Sequence, residues 1–198
     1  DRLSRELPTQ EREVADWISS IPFVQPSFRF AAEMAMFDYL NQRDGIYFPN
    51  EFTDQQAPVP INGLIWMGTK EYMQQQIESK LAEGLTCLKL KIGAIDFESE
   101  IELIRSIREA HSEKELMIRL DANGAFTIQE AAYKLEKLSK FGIHSIEQPI
   151  KSGQWNEMAI LCKQSEIPIA LDEELIGIID AAELLYRIRP AYIILKPS

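Results

Sequence analysis

Three carboxylates and three lysines recur at equivalent places in this chain. Asp121 closes the run Ile118-Arg-Leu-Asp121, Glu147 closes Ser145-Ile-Glu147, and Asp172 closes Ala170-Leu-Asp172. Each acid stands where a short apolar strand would stop and a loop begin, and Asn123-Gly124 supplies turn chemistry directly after the first. Three acids gathered at one end of neighbouring parallel strands would repel one another without a cation. An all-oxygen donor set of this kind suits Mg²⁺, which prefers octahedral oxygen and keeps positions open for substrate. Taken singly, each could be an ordinary loop acid; the register of all three is what points to a metal.

The lysines bracket the acids. In Cys87-Leu-Lys-Leu-Lys-Ile92 the alternation of a strand puts Lys89 and Lys91 on one face and Leu88, Leu90 and Ile92 on the other. If the apolar face packs on helices, both ammonium groups point inward, which is costly unless each has a partner or a task. A solvated edge strand with a polar face stays open as the other reading. Lys196, in Ile193-Ile-Leu-Lys-Pro-Ser198, is expected at the exit of a sixth strand, across a barrel mouth from Lys91. A cation between two opposed lysines can bind a substrate carboxylate and stabilise the enediolate formed when the α-proton leaves.

The elements that must position these groups follow from periodicity. Strands are expected at Leu64–Met67, Cys87–Ile92, Met117–Asp121, Ile143–Glu147, Ile167–Asp172 and Tyr192–Lys196, with starts 23 to 30 residues apart. Between them lie apolar stripes at helical spacing: Met73, Ile77 and Leu81; Phe97, Ile101, Ile104 and Ile107; Ile128, Ala132, Leu135 and Leu138; Trp155, Met158 and Cys162; and Ala181 to Ile188, entered at Asp180. Thr127 with Glu130 has capping-box form, and Gly84 and Gly142 close two of the helices. Strands alternating with helices imply a parallel sheet. The regular unit, with no Gly-x-Gly-x-x-Gly after the first strand, favours a (β/α)-barrel over a doubly wound sheet.

A complete barrel needs about eight strands in about 250 residues. Six are expected here, so the chain reads as part of a larger one. Residues 1–60 carry a helix over Glu11–Ile18, a second over Phe28–Leu40 capped by Ser27, and a Pro-rich linker over 41–60. The barrel part is residues 61–198.

Composition narrows the function classes. A net charge of −10 argues against nucleic acid, whose affinity depends on Lys and Arg neutralising phosphate. No segment reaches the roughly 20 apolar residues of a membrane helix. Cys87 and Cys162 have neither metal nor redox spacing, which fits a reducing, cytoplasmic setting. His111 and His144 are assigned no role, and Glu174 is expected to be exposed. Nothing in the sequence speaks to oligomeric state.

Taken together, the motifs Lys-x-Lys at 89–91, Asp-x-Asn at 121–123, Glu-Gln-Pro at 147–149, Asp-Glu at 172–173 and Lys-Pro at 196–197 resemble the enolase superfamily, muconate-lactonising subgroup, over roughly residues 27 to 198. Within it, residues 119–126 and 194–198 look most like the o-succinylbenzoate synthases of menaquinone biosynthesis. The resemblance implies a modified TIM barrel, here its first six strands, preceded by the tail of an α+β capping domain. It implies Mg²⁺ held by Asp121, Glu147 and Asp172, with Asn123 and Glu173 supporting that shell. Lys91 would take the α-proton of a small carboxylate substrate and return it to the departing hydroxyl in a syn dehydration. Lys196 would stabilise the anion from the opposite face, and Lys89 would tune Lys91. Racemases and epimerases of acylamino acids and dipeptides share these residues and stand as the alternative. A non-catalytic barrel remnant is the remaining one, and the six-strand piece by itself is expected to be inactive.

Overall fold

The computed structural model of the chain describes residues 7–21, 25–41, 46, 49–178 and 180–196. They group into two compact units, one formed by residues up to Pro60 with the chain from Lys196, the other by Ile61–Leu195. In the N-terminal unit a short 3-10 turn (Glu11–Glu13) leads into α1 (Val14–Ser20), and α2 spans Pro26–Leu40. The second helix starts earlier than the Ser27 cap implies. Pro26 occupies its first turn, where the missing N–H costs nothing. Val14, Ile18, Ile21 and Met36 form the small core of this unit. Part of the 41–60 linker, and Pro197-Ser198 of the last motif, lie outside the described residues.

The second unit is one six-stranded sheet, β1 (Gly63–Ile65), β2 (Cys87–Lys91), β3 (Met117–Asp121), β4 (Ser145–Glu147), β5 (Ile169–Leu171) and β6 (Tyr192–Ile193), in sequential order. Every neighbouring pair is parallel. The intervening helices are α3 (Lys70–Ala82), α4 (Phe97–Ala110), α5 (Ile128–Ser139), α6 (Trp155–Gln164) and α7 (Ala181–Ile188). Strand order equal to chain order, with a helix between each pair, is the αβ-barrel arrangement rather than the reversed order of a doubly wound sheet.

Alternation along the strands sorts the side chains as expected. Leu88, Leu90, Ile118, Leu120 and Ile146 are buried with the helical residues Met73, Ile77, Ile101, Ile104, Ile107, Leu135, Leu138 and Met158 in one core. Each such Leu or Ile contributes about 2 kcal/mol of burial free energy. The α5 stripe departs from expectation. Ala131 is buried and Ile128 is exposed, so the face is rotated by one position from the one drawn through Ile128 and Ala132. Asp180 caps α7, its carboxylate accepting the Glu183 N–H at 2.8 Å. Several strands are shorter than the apolar runs that encode them. β5 stops at Leu171 because Asp172 takes φ −123°, ψ −76° and opens a 3-10 turn over Glu173–Leu175. β6 then pairs only through Ala170↔Tyr192 and Leu171↔Ile193, so Lys196 lies three residues past the strand rather than at its exit.

The N-terminal ends of β3 and β4 are tied by one side chain. Arg108, on α4, donates from Nε to the Phe141 carbonyl (2.7 Å), from Nη1 to that of Leu116 (2.7 Å) and from Nη2 to that of Gly142 (3.0 Å). Charged donors satisfying buried carbonyls are worth more than neutral ones, and removing the donor strands the acceptors. Arg108→Met should therefore lower the unfolding free energy by about 3 kcal/mol, read as a shifted urea midpoint of the full-length protein. An unmoved midpoint would show that water takes over these carbonyls.

Candidate active site at the strand ends

The site is built at the C-terminal ends of β2, β3 and β4. The register sets Lys91 opposite Asp121 and Asp121 opposite Glu147, which brings one lysine and two acids to the same level. Lys89, one pleat repeat lower, reaches up between the acids. Its Nζ lies 2.7 Å from Glu147 Oε2 and 2.9 Å from Asp121 Oδ2. Lys91 Nζ donates to Asp121 Oδ2 at 2.5 Å and to Asn123 Oδ1 at 2.7 Å. Asp121 is fully buried and Glu147 nearly so. The inward reading of the two lysines is therefore the one realised, and the solvated polar face is not.

Asn123 is held by its backbone as well as its side chain. It sits at φ +44° followed by Gly124 at +73°, the left-handed pair that an Asn-Gly turn provides. A Cβ on Gly124 would stand 3.0 Å from the Lys151 Cα, so the close loop crossing also demands glycine. The Asn123 N–H donates to Asp121 Oδ1 (3.1 Å), and its Nδ2 donates to Glu173 Oε1 (2.9 Å). Lys91, Asp121, Asn123 and Glu173 are thus one connected chain of polar contacts.

The titrations of the two acids shift in opposite directions. Burial pushes the Asp121 carboxyl up, but its hydrogen bonds to Lys91 and Lys89 outweigh that and hold it below its ordinary value. Glu147 is raised to about 7, first by burial, with the Asp121 charge adding to it and only Lys89 opposing. Two carboxylates sharing one region separate in this way, because the second cannot ionise as easily beside the first. Burial disfavours the Lys89 charge too, yet the bonds to Glu147 and Asp121 keep its affinity for the proton above the ordinary value.

The remaining expected residues divide. Asp172 is 5% exposed at the end of β5, its N–H 3.2 Å from Gln148 Oε1. Among the described residues, no three acids, cysteines or histidines converge closely enough to hold one ion. The structure therefore joins Asp121 and Glu147 but does not complete the set with Asp172. The turn that ends β5 is the reason, since it takes Asp172 out of strand geometry. The donor chemistry nonetheless fits a hard cation. The acids present only oxygen, Glu147 resists losing its proton, and Glu173 Oε2 is buried without a hydrogen-bond partner among the described residues. Lys196 is exposed and falls in the other unit. Glu174 corrects the expectation of exposure: it is 5% exposed. Trp66 was not singled out from the sequence. It follows β1 directly, its backbone N–H and C=O both bonded to the Gln76 carboxamide at 2.9 Å, and its ring centre lies 5.8 Å from Lys91 Nζ. The expected strand Leu64–Met67 places Trp66 inside the strand, and only the observed end of β1 at Ile65 puts it at the exit.

Glu147 gives a test of this electrostatic picture. From its ordinary value of 4.5 up to about 7, the folded protein keeps a proton that the unfolded chain releases. The unfolded state then binds fewer protons, so this group's contribution to stability declines as pH rises through that window. Urea midpoints compared at pH 5 and pH 7.5 should show wild type losing stability relative to Glu147→Gln. Parallel behaviour of the two would place the Glu147 carboxyl in an ordinary environment.

Comparison with known proteins agrees with the fold and the motifs. Residues 72–194 match the model of the family described as enolase C-terminal domain-like. The chain is 55% identical over 175 residues to an o-succinylbenzoate synthase of Desulfotalea psychrophila, covering 87% of this chain and 48% of that protein. The crystal structure of MenC from Desulfotalea psychrophila LSv54 superposes with a TM-score of 0.84 at 49% identity, over 94% of this chain and 53% of that one. An o-succinylbenzoate synthase from Thermosynechococcus elongatus BP-1, complexed with Mg in its active site, gives a TM-score of 0.54 at 28% identity, over 61% of this chain and 38% of that one. The chain thus spans about half the length of the curated relative it matches best among these. No helix among the described residues is long and apolar enough to cross a membrane. With the sequential parallel sheet, the acids at the strand ends and the family match over residues 72–194, the chain belongs to the enolase superfamily, in its enolase C-terminal domain-like family.

Proposed function

We propose that these residues are the catalytic barrel portion of an o-succinylbenzoate synthase-type carbon–oxygen lyase, acting in menaquinone biosynthesis on a hydroxylated cyclohexadiene carboxylate. The observation that carries the proposal is the Lys91–Asp121–Lys89–Glu147 arrangement at the strand ends, set beside 55% identity to a protein of that name. Asp121, Glu147 and Asp172 would hold Mg²⁺, all offering oxygen from adjacent strands. When bound, the ion would supply Lewis-acid stabilisation to a substrate carboxylate.

The chain's own groups would do the proton work. Lys91 Nζ, as the neutral amine, takes the α-proton and becomes the ammonium. The same Nζ then hands that proton to the hydroxyl leaving from the same face, which makes the elimination syn. Asn123 Oδ1 and Asp121 Oδ2 fix where Nζ stands through both transfers. Lys89 stays charged between the two acids and limits their mutual repulsion. The Trp66 ring, 5.8 Å from Lys91 Nζ, would wall the site on that side. The role of Lys196 as the opposing ammonium rests on the Lys-Pro motif.

In the full-length protein, Lys91→Ala should lower kcat/KM for dehydration by about a thousand-fold or more, since one side chain serves as both base and acid. Dehydration at the wild-type rate would remove Lys91 from the mechanism. Deuterium wash-in at the α-carbon of an N-acylamino acid or dipeptide, with no dehydration of the cyclohexadiene, would assign the chain to the racemases and epimerases instead.

A further inference from the structure

Gln148 lies in the Glu-Gln-Pro motif, yet the proposed chemistry uses only its neighbour Glu147. Its surroundings are unusual for a glutamine. It is fully buried and sits at φ +42°, a left-handed conformation that a non-glycine residue adopts at a cost. Every hydrogen-bonding direction of its carboxamide is used. Oε1 accepts the N–H groups of Asp172 (3.2 Å) and Glu174 (3.4 Å), while Nε2 donates to the Ile150 carbonyl (3.0 Å) and to Glu174 Oε1 (3.5 Å). The partners fix the orientation of the amide, because reversing it would face N–H against N–H. Its backbone N–H donates to Ala170 O (2.9 Å), and its carbonyl accepts the Gly124 N–H (2.7 Å). One residue therefore touches the loops that follow β3, β4 and β5.

Glu174 completes the group from the other side. Its Oε2 accepts Trp155 Nε1 and the Gly153 N–H, each at 3.0 Å, so the carboxylate is bound by neutral donors. It ties the loop after β4 to the turn after β5. The point of closest consequence is Asp172, whose N–H is held by Gln148 where the chain leaves strand geometry.

We infer that Gln148 and Glu174 form a buried positioning pair that sets where Glu147 and Asp172 stand, and through them the affinity of the site for a divalent cation. This rests on the reading of those acids as a cation site. The pair touches neither substrate nor the reacting atoms; it acts by holding the loops that carry the oxygen donors. Groups that orient ligands in this way typically govern metal affinity by one to two orders of magnitude.

The probe is Mn²⁺ alone, with free ion counted by electron paramagnetic resonance in the full-length protein, well below the melting temperature of each variant. Gln148→Leu, which keeps the volume and removes the hydrogen bonds, should raise the Mn²⁺ Kd about tenfold or more. Gln148→Glu sets a second carboxylate against Glu174 and should weaken Mn²⁺ as much. Adding Glu174→Gln to it restores one amide facing one carboxylate and should recover part of the lost affinity, the Ile150 carbonyl remaining without its donor. A residue that merely braces the fold would lower the melting temperature without moving Kd and without this recovery. Should Gln148→Leu not fold, Glu174→Gln alone carries the test, with a Kd several-fold above wild type expected. Folded variants with the wild-type Kd overturn the inference. Wild-type protein that binds no Mn²⁺ removes the cation site itself, and that outcome is distinct from one in which wild type and variants bind alike.

Discussion

Charge compensation inside the parallel sheet is the constraint on which the rest depends. Two ammonium groups and two carboxylates stand on the inward face of β2, β3 and β4, largely out of water. Any one of them unpaired would cost several kcal/mol. Together they satisfy one another, but not completely. Asp121 gives up its proton easily and Glu147 holds on to its own up to about 7.

The two ends of the strands do different work. At their N-terminal ends Arg108 fastens three backbone carbonyls, and the contacts there serve only to hold α4, β3 and β4 together. At the C-terminal ends stand Lys89, Lys91, Asp121 and Glu147, the groups of the proposed site, and the loops there are tied by Gln148 and Glu174. The barrel architecture permits such a division between the two rims, because loop substitutions at one rim leave the packed layer between sheet and helices untouched. The buried leucines and isoleucines of that layer supply the rigidity that lets two acids be held at like-charge distance.

Much of the site was legible because it obeys a simple local rule. Asp121, Glu147 and Asp172 each close an apolar run; Asp121 and Glu147 do stand side by side at the ends of β3 and β4, whereas Asp172 leaves strand geometry and does not join them. Trp66 escapes that rule, because the apolar run Leu64–Met67 continues past it while β1 stops pairing at Ile65. Glu174 was misread because three acids in sequence suggest a solvated turn. Its burial comes from Trp155 and Gly153, which lie about twenty residues earlier in the chain and leave no local sign. The part played by Gln148 has no local sign either, since its partners come from three different loops.

The sequence by itself determined the alternation of strands and helices, the division of each strand into an apolar and a charged face, and the presence of acids and lysines at one rim. These follow from periods of two and 3.6 residues, which are properties of a single segment. Only the tertiary structure decided that Lys89 lies between Asp121 and Glu147, that Asp172 leaves the strand before joining them, that Lys196 lies beyond a shortened β6, and that a buried amide links three loops. Those outcomes depend on strand register and on where neighbouring strands stop pairing. Both are set by contacts between segments far apart in the chain, and no local pattern encodes them.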